Sequence, residues 1–596
     1  MPAQFAIGID LGTTNSVVAY TSLESEEPQV KLLQVSQVVA PSTIEQRSGL
    51  PSFCYLTTPG EEQSGVFAQE WQKDKGYCVG EGARRQSADV PTRTISAAKS
   101  WLANTRVDRH TAILPWDAPE DVEKISPVEA SRRYLLHLST AWEQRHPDAP
   151  LNQQKIVLTV PASFDASARE LTHQAALEAG LPQDLVLLEE PQAAVYAWLN
   201  DVGDEWRKQL KIGDTILVCD VGGGTTDFSL IGVSEENGDL ILRRIAVGNH
   251  ILVGGDNMDL TLAHVAQQAF NQKGTQLDAW QAVSLWHACR NAKEDLLGEN
   301  PPQSKPVTIL GRGSRLIGST ITADLQRTHV TEALLEGFFP ACDRDERPKS
   351  RPVSGFRQIG LPFESDTAVT RHLAQFLSAH ASDPDKSVRP THILFNGGVF
   401  KSDIFRHRIV DVISAWFSEE NAPDVLVRSP DFDNAVARGA ATYGFIKERK
   451  GIRIRGGTAR SYYVGIETAG PAVPGFARPL SALCVVPFGM EEGSEIEVPG
   501  DEIGLVVGEP AVFRFFSSSV RKDDKPGMVL SGWGEEQLQE TDSLEAHLPA
   551  EERFEEGYVP VKFHPRITEL GMFELWCKST ISDDSWKLEF NIREQK

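Results

Sequence analysis

The stretch Gly8-Ile-Asp-Leu-Gly-Thr-Thr-Asn-Ser16 decides the fold, because a cousin of it, Cys219-Asp-Val-Gly-Gly-Gly-Thr-Thr-Asp227, recurs later in the chain. In each copy a β-like apolar run delivers an Asp (Asp10, Asp220). A turn of glycine and threonine follows, Gly12-Thr13-Thr14-Asn15 in the first and Gly222-Gly223-Gly224-Thr225 in the second. Apolar residues then resume, so each copy reads as a hairpin. Glycines let backbone N–H groups approach a phosphate closely, and threonine hydroxyls add donors. The Asp cannot bind phosphate itself, since like charges repel. It fits only if a divalent cation lies between them, and Mg²⁺ keeps its waters and meets carboxylates through them. Two such hairpins could close on one triphosphate from opposite sides.

A lone hairpin of this kind is equally an ordinary β-turn. The second copy, Gly254-Gly255 before Asp256, and a fourth glycine pair, Gly397-Gly398, favour the phosphate reading. The chain has no GxxxxGK[ST] and no GxGxxG after a strand, which excludes a P-loop and disfavours a dinucleotide fold. In RTISAAKSWLAN, Ile95, Ala98 and Leu102 form one apolar face of an expected helix, and Lys99 falls on that face. An inward lysine needs an anionic partner or must snorkel out to water.

Strand and helix patterns alternate to about residue 445, as in an α/β region. Lys155–Val160 reads as a buried strand, followed by a helix with Ser167 and Glu170 as its capping box and Gly180 as its stop. Helices are expected from about Met258 and Trp280, and a strand at Thr391–Gly398. Between Gly298 and Pro390 the order is unclear, with exposed loops at Pro301-Pro302 and Ala341–Pro352. The basic, glycine-broken stretch KERKGIRIRGGTAR is either a partner-contact surface or a solvated linker. From Tyr462 onward short β-like runs with turns between them predict a sandwich or barrel, with one short helix near Glu535–Leu548. The expected domains are therefore 1–446, a linker at 447–461, and a β-rich unit at 462–596.

The 596 residues are 40% hydrophobic and 24% charged, with a net charge of −24. That balance argues against a nucleic-acid or anionic-membrane surface. From Glu491 to Lys596 there are 24 acidic and 11 basic residues, so the C-terminal unit is markedly acidic. The seven cysteines include no CxxC, and their odd number fits a reducing compartment. No signal peptide and no apolar span of membrane length is evident, so a cytoplasmic monomer is expected.

VPASFDASAR (Val160–Arg169), EEPQAAVYAW (Glu189–Trp198), DVGGGTTDFSLI (Asp220–Ile231), VGGDNMD (Val253–Asp259) and LFNGGVFK (Leu394–Lys401) follow GIDLGTTNS in the chain. In this order they resemble the nucleotide-binding portion of the heat shock protein 70 (DnaK-like) family over about residues 5–445. The resemblance implies an actin-like, two-lobed ATPase with ribonuclease-H-like sheets, binding ATP or ADP with Mg²⁺ in the cleft. Lys99 matches the family lysine on the γ-phosphate, and Glu190 the glutamate that positions the attacking water. Asp10 and Asp220 match the carboxylates that hold hydrated Mg²⁺; Thr13, Thr14 and Thr225 match its phosphate-contacting threonines. Pro161 and Arg169 match residues of an interdomain relay.

Two positions depart from the family. Lys293 matches a ribose-binding lysine, but Arg290 stands where a Glu is expected. Lys401 replaces an arginine that stacks on adenine, and lacks its planar guanidinium. The resemblance further implies polypeptide clients, with J-domain and nucleotide-exchange co-chaperones as partners. After Tyr558 no 3.6-residue apolar spacing is present, so no helical lid is expected. A small-molecule kinase and a filament-forming actin relative are the alternatives on the same fold.

Overall fold

The computed structural model describes residues 2–116, 118–236, 239–272, 276–298, 300–310, 320–349, 361, 364–381, 387–417, 421–427, 431–449, 454–455, 457–467, 480–491, 493–506, 510–534, 536–547, 558–568 and 572–590. Strand Phe5–Leu11 turns back into antiparallel Asn15–Ser22, with Asp10 opposite Val17. On its other side it runs parallel to Lys155–Val160, which in turn runs parallel to Val186–Glu189. The second sheet repeats the plan. Thr215–Val221 is antiparallel to Thr226–Glu236 and parallel to His392–Asn396, which pairs in parallel with Asp424–Val425.

The central strands are near-continuous apolar runs because both of their faces are covered. Ala6, Ile7 and Ile9 are buried, as are Ile216, Leu217 and Val218. Two helices join the sheets, Glu190–Val202 and Ala435–Arg449. Their shared core takes Val157 and Val186 from the first sheet and Ile216 and Val218 from the second. The second helix is rich in small residues, which lets backbones approach closely. A Cβ on Gly439 would overlap the main-chain oxygen of Ala193, and one on Gly8 would overlap Ala437 and Ala441.

Beyond these lie two antiparallel sheets. One runs Val529–Leu530, Leu480–Val486, Ser461–Glu467, Phe515–Ser518, Gln539–Glu540; the other runs Ile503–Val506, Tyr558–Ile567, Phe573–Ser579, Ser585–Phe590, Leu544–His547, Pro510–Phe513. They share one core, in which Tyr462, Val464, Phe515, Val559, Phe563, Leu575 and Leu588 meet. This part of the chain is mainly β.

Three local expectations are corrected. The helix expected near Glu535–Leu548 is absent from residues 536–547, which hold strands Gln539–Glu540 and Leu544–His547. Leu544 and Ala546 are buried with period two, and that burial overrides helix propensity. The helix after Lys155–Val160 spans Ala166–Glu178, and its N-cap is Asp165, accepting from the Ala168 N–H, not Ser167. RTISAAKSWLAN is not one helix: Ile95 lies in a strand paired with Cys54, Ala97 takes a left-handed φ of 55°, and only Ala98–Leu102 is helical. The region of unclear order holds a hairpin, Ser304–Leu310 with Thr320–Gln326, and helices Arg327–Phe338 and Val369–Ala379. In the basic stretch, Ile454–Arg455 adds a parallel strand to Asp239–Val247, while 450–453 and 456 lie outside the described residues.

Candidate functional site

Strand register positions the two hairpin carboxylates alike. Asp10 sits beside Thr159 of its parallel neighbour, whose hydroxyl donates to Asp10 Oδ1 at 3.1 Å. Asp220 sits beside Asn396 of its own parallel neighbour, whose side-chain amide donates to Asp220 Oδ2 at 2.6 Å. Each acid is thus oriented by a polar residue from the adjacent strand.

The two turns meet. A Cβ on Gly223 would overlap Thr14, and one on Gly224 would come within 2.9 Å of Thr13 Cγ2. The first tip is braced by Ser52, whose hydroxyl donates to Gly12 O at 2.7 Å and whose N–H donates to Thr14 O. Asn15 begins the return strand opposite Pro51. In the second tip Gly222 N–H donates to Thr225 O at 2.9 Å. The other glycine pairs join this tip. Gly255 and Asp256 N–H donate to Gly222 O and Gly223 O at 3.0 and 2.7 Å, and Gly254 has room for no side chain against Gly223 O. Gly397, at φ 86°, would place a Cβ 2.7 Å from Asp220 Oδ1, and Gly398 follows it. All four glycine-bearing segments therefore border one place.

Lys99 is 7% exposed and forms an ion pair with Glu190, the first residue of helix Glu190–Val202. Burial pushes Glu190 up to about 8; Lys99 opposes the rise, and Asp10 and Asp220 add to it. Burial also raises Asp10, again against Lys99. Asp227, cross-strand partner of Asp220, lies in the field of Lys99 as well. Asp227 closes the second glycine-threonine repeat, and spacing alone gives it no role, although a residue opposite Asp220 in a hairpin shares its face. Three carboxylates, Glu190, Asp10 and Asp227, thus act on one buried lysine.

These groups make stability depend on pH. Burial lowers His137 and His287 to about 4 and His380 to about 3. The unfolded chain then binds more protons than the folded one up to about 6.5, and stability rises with pH in that range. Glu190 has the opposite sign: its folded value lies above the ordinary 4.5, so its contribution is lost as pH rises toward 8. Denaturant unfolding of the nucleotide-free chain should therefore show a maximum near pH 6.5 and a fall from there to 8. Glu190→Gln should make that fall shallower; an unchanged fall would remove Glu190 as its cause.

Lys293 and Arg290 lie beside Gly255 and Asp256. Lys293 donates to Gly255 O at 2.9 Å and pairs with Asp259 at 2.6 Å. Arg290 bridges Asp256 and Asp259, so the Asp256 side chain is already engaged. Lys401 is half exposed and paired with Asp433. Ser87 Oγ meets His287 Nε2 at 3.0 Å, a further contact between the two halves.

Pro161 and Arg169 flank a segment that touches the β-rich unit. Arg169 pairs with Glu189 at 2.7 Å; Glu189 also pairs with Arg244, which donates to Gly457 O. Arg109 joins Asp165 to Asp542, and Ser167 donates to the same Asp542. Sequence spacing could not show this seam, because its partners lie hundreds of residues apart.

Residues 69–336 match the family model described as Hsp70 protein. A chaperone protein HscA homolog from Actinobacillus pleuropneumoniae is 34% identical over 270 residues, 45% of this chain and 38% of that protein. One from Burkholderia pseudomallei is 30% identical over 418 residues, 67% of this chain and 58% of that protein. The chaperone protein DnaK of Thermotoga neapolitana is 27% identical over 421 residues, 67% and 59% of the two chains. The matches thus span between about two fifths and three fifths of these relatives' length. In its paired glycine-threonine hairpins meeting beside a buried lysine and in this agreement in sequence, the chain is similar to the Hsp70 family across residues 69–336.

Proposed function

We propose that the chain is a DnaK-like chaperone ATPase. Residues 1–446 form an actin-like pair of lobes that binds Mg-ATP between them, and 462–596 form a client-binding β-domain joined through 447–461. The observation that carries this reading is the meeting of the two hairpin tips, Thr13-Thr14 and Gly223-Gly224, with Lys99 buried against Glu190 in the field of Asp10 and Asp227. Gly12, Thr13, Thr14 and Asn15 would cradle the phosphates from one side, and Gly222–Thr225 with Gly254-Gly255 from the other. Mg²⁺, held through its waters by Asp10 and Asp220, would neutralise phosphate charge. Glu190 orients water toward the γ-phosphate, and Lys99 and Thr225 stabilise charge as it develops there, so catalysis is mostly positioning and electrostatics.

Lys293, Asp256, Gly397-Gly398 and Lys401 would meet the nucleoside. Arg290 and Lys401 are each paired with a carboxylate, Asp256 and Asp433, which either would have to give up to meet a base or ribose. Each missing polar interaction with the nucleoside costs about 1–3 kcal/mol, or roughly one to two decades of affinity. Calorimetry should therefore find weak discrimination between ATP and GTP; nanomolar, ATP-selective binding would contradict it.

Clients would be unfolded or basic peptide segments, given the acidic β-domain, with J-domain and exchange factors as partners. Among the described residues no helix is long and apolar enough to cross a membrane. The test is fluorescent-peptide release from the intact chain: ATP should accelerate it. Phosphate release that depends on added sugar would favour a kinase instead.

A further inference from the structure

A cleft of about 1750 Å³ opens where both sheets of the first 446 residues meet the β-rich unit. Ser163, His250, His380, Arg460, Ser517 and Gln539 are on its wall. Arg460 is only 5% exposed, yet it has no carboxylate partner among the described residues. It donates to Ser517 Oγ and Gln539 Oε1 at 3.2 Å and to Ser163 O at 3.1 Å, all neutral acceptors, and its Nε has no partner among the described residues. The other arginines of this seam are compensated: Arg109 by Asp165 and Asp542, Arg169 and Arg244 by Glu189.

A guanidinium taken out of water without a counter-ion is unfavourable, and an oxyanion is the ligand its planar fork recognises best. Two further buried atoms on this wall lack partners among the described residues, His250 Nε2 and His380 Nδ1. Of the cleft's carboxylates, Asp165 is taken by Arg109 and Glu540 by Arg514, while Glu364 and Glu536 are exposed.

The wall is one residue thick toward the hairpin site. Ser163 Oγ donates to Asp227 Oδ1 at 2.7 Å, and His250 Nδ1 lies 3.3 Å from the same oxygen. Asp227 in turn faces Lys99. Ser163 and His250 therefore lie between Asp227 and the cleft.

We propose that Arg460 anchors a phosphate subsite in this cleft, occupied by the inorganic phosphate that leaves the hairpin site past Ser163 and His250. The source of the phosphate rests on the ATPase reading; the subsite rests on Arg460 alone. Arg460 lies at the end of the 447–461 connection, Ser517 and Gln539 belong to the β-rich unit and Ser163 to the first, so bound phosphate favours their docked arrangement.

Equilibrium dialysis of labelled inorganic phosphate against the intact, nucleotide-free chain tests this. Saturable binding is expected. Gln539→Glu, which gives Arg460 a carboxylate in place of an amide, should weaken it tenfold or more without lowering the unfolding midpoint. Arg460→Met should also abolish it, and Gln539→Glu carries the test if that variant misfolds. Lys99→Ala should change it less than twofold. Absence of saturable binding, binding indifferent to Gln539→Glu, or binding lost in Lys99→Ala would each overturn the subsite. Because nucleotide is left out, failure of ATP hydrolysis would remove only the source of the phosphate, with binding still sensitive to Gln539→Glu.

Discussion

Lys99→Ala should keep nucleotide binding and lose hydrolysis by a factor on the order of 10²–10³. Lys99 is buried against Glu190 in the field of Asp10 and Asp227, where a positive charge acts far more strongly than in water. Its main effect is expected where charge develops on the transferred phosphoryl group, so kcat falls while affinity stays nearly level. Removing it also leaves Glu190 among carboxylates without its cation, which raises the Glu190 pKa further and hinders its part in orienting water. Single-turnover hydrolysis with nucleotide affinity measured beside it separates the two effects. Unchanged turnover would end the assignment of Lys99.

Gly439→Ala should destabilise the whole first region by about 3 kcal/mol or more. The added methyl would overlap the Ala193 main-chain oxygen, and neither helix can yield, since Val436 and Ala440 are packed into the core that joins both sheets. A flexible side chain could turn aside; a backbone carbonyl inside helix Glu190–Val202 cannot. That helix begins at Glu190, so surviving protein should also show displaced site chemistry and slowed hydrolysis. Denaturant unfolding reads the first effect as a lowered midpoint with an unchanged slope. A shift below about 0.5 kcal/mol, the range of an ordinary surface substitution, would mean that the helices are not packed as described.

Much of the region that carries the hairpins is legible in the sequence because its signals are local. An apolar strand, an Asp, a glycine-threonine turn and a second apolar strand need no distant partner to be recognised. The errors fall where tertiary contacts outweigh local pattern. Leu544 and Ala546 become strand residues because the β core takes them. Asp165 caps its helix in preference to Ser167, whose hydroxyl is drawn to Asp542. Lys99 points inward as expected, but from a five-residue helix, because Ile95 is held in a sheet by Cys54. Asp227 stands in plain view at the end of the second repeat, yet only strand register reveals that it faces the site. Arg460 cannot be told from a solvated linker charge by sequence, because the residues that bury it are distant along the chain.

The most direct test of the account is a calorimetric titration of ATP into the intact chain, with Mg²⁺ present and with it chelated. Two hairpins closing on one Mg-nucleotide predict saturable one-to-one binding. That binding should weaken at least tenfold without Mg²⁺, and as much in Gly223→Val, whose side chain would wedge the second tip away from Thr14. No binding of ATP in the presence of Mg²⁺, or binding indifferent both to the ion and to Gly223→Val, would contradict it.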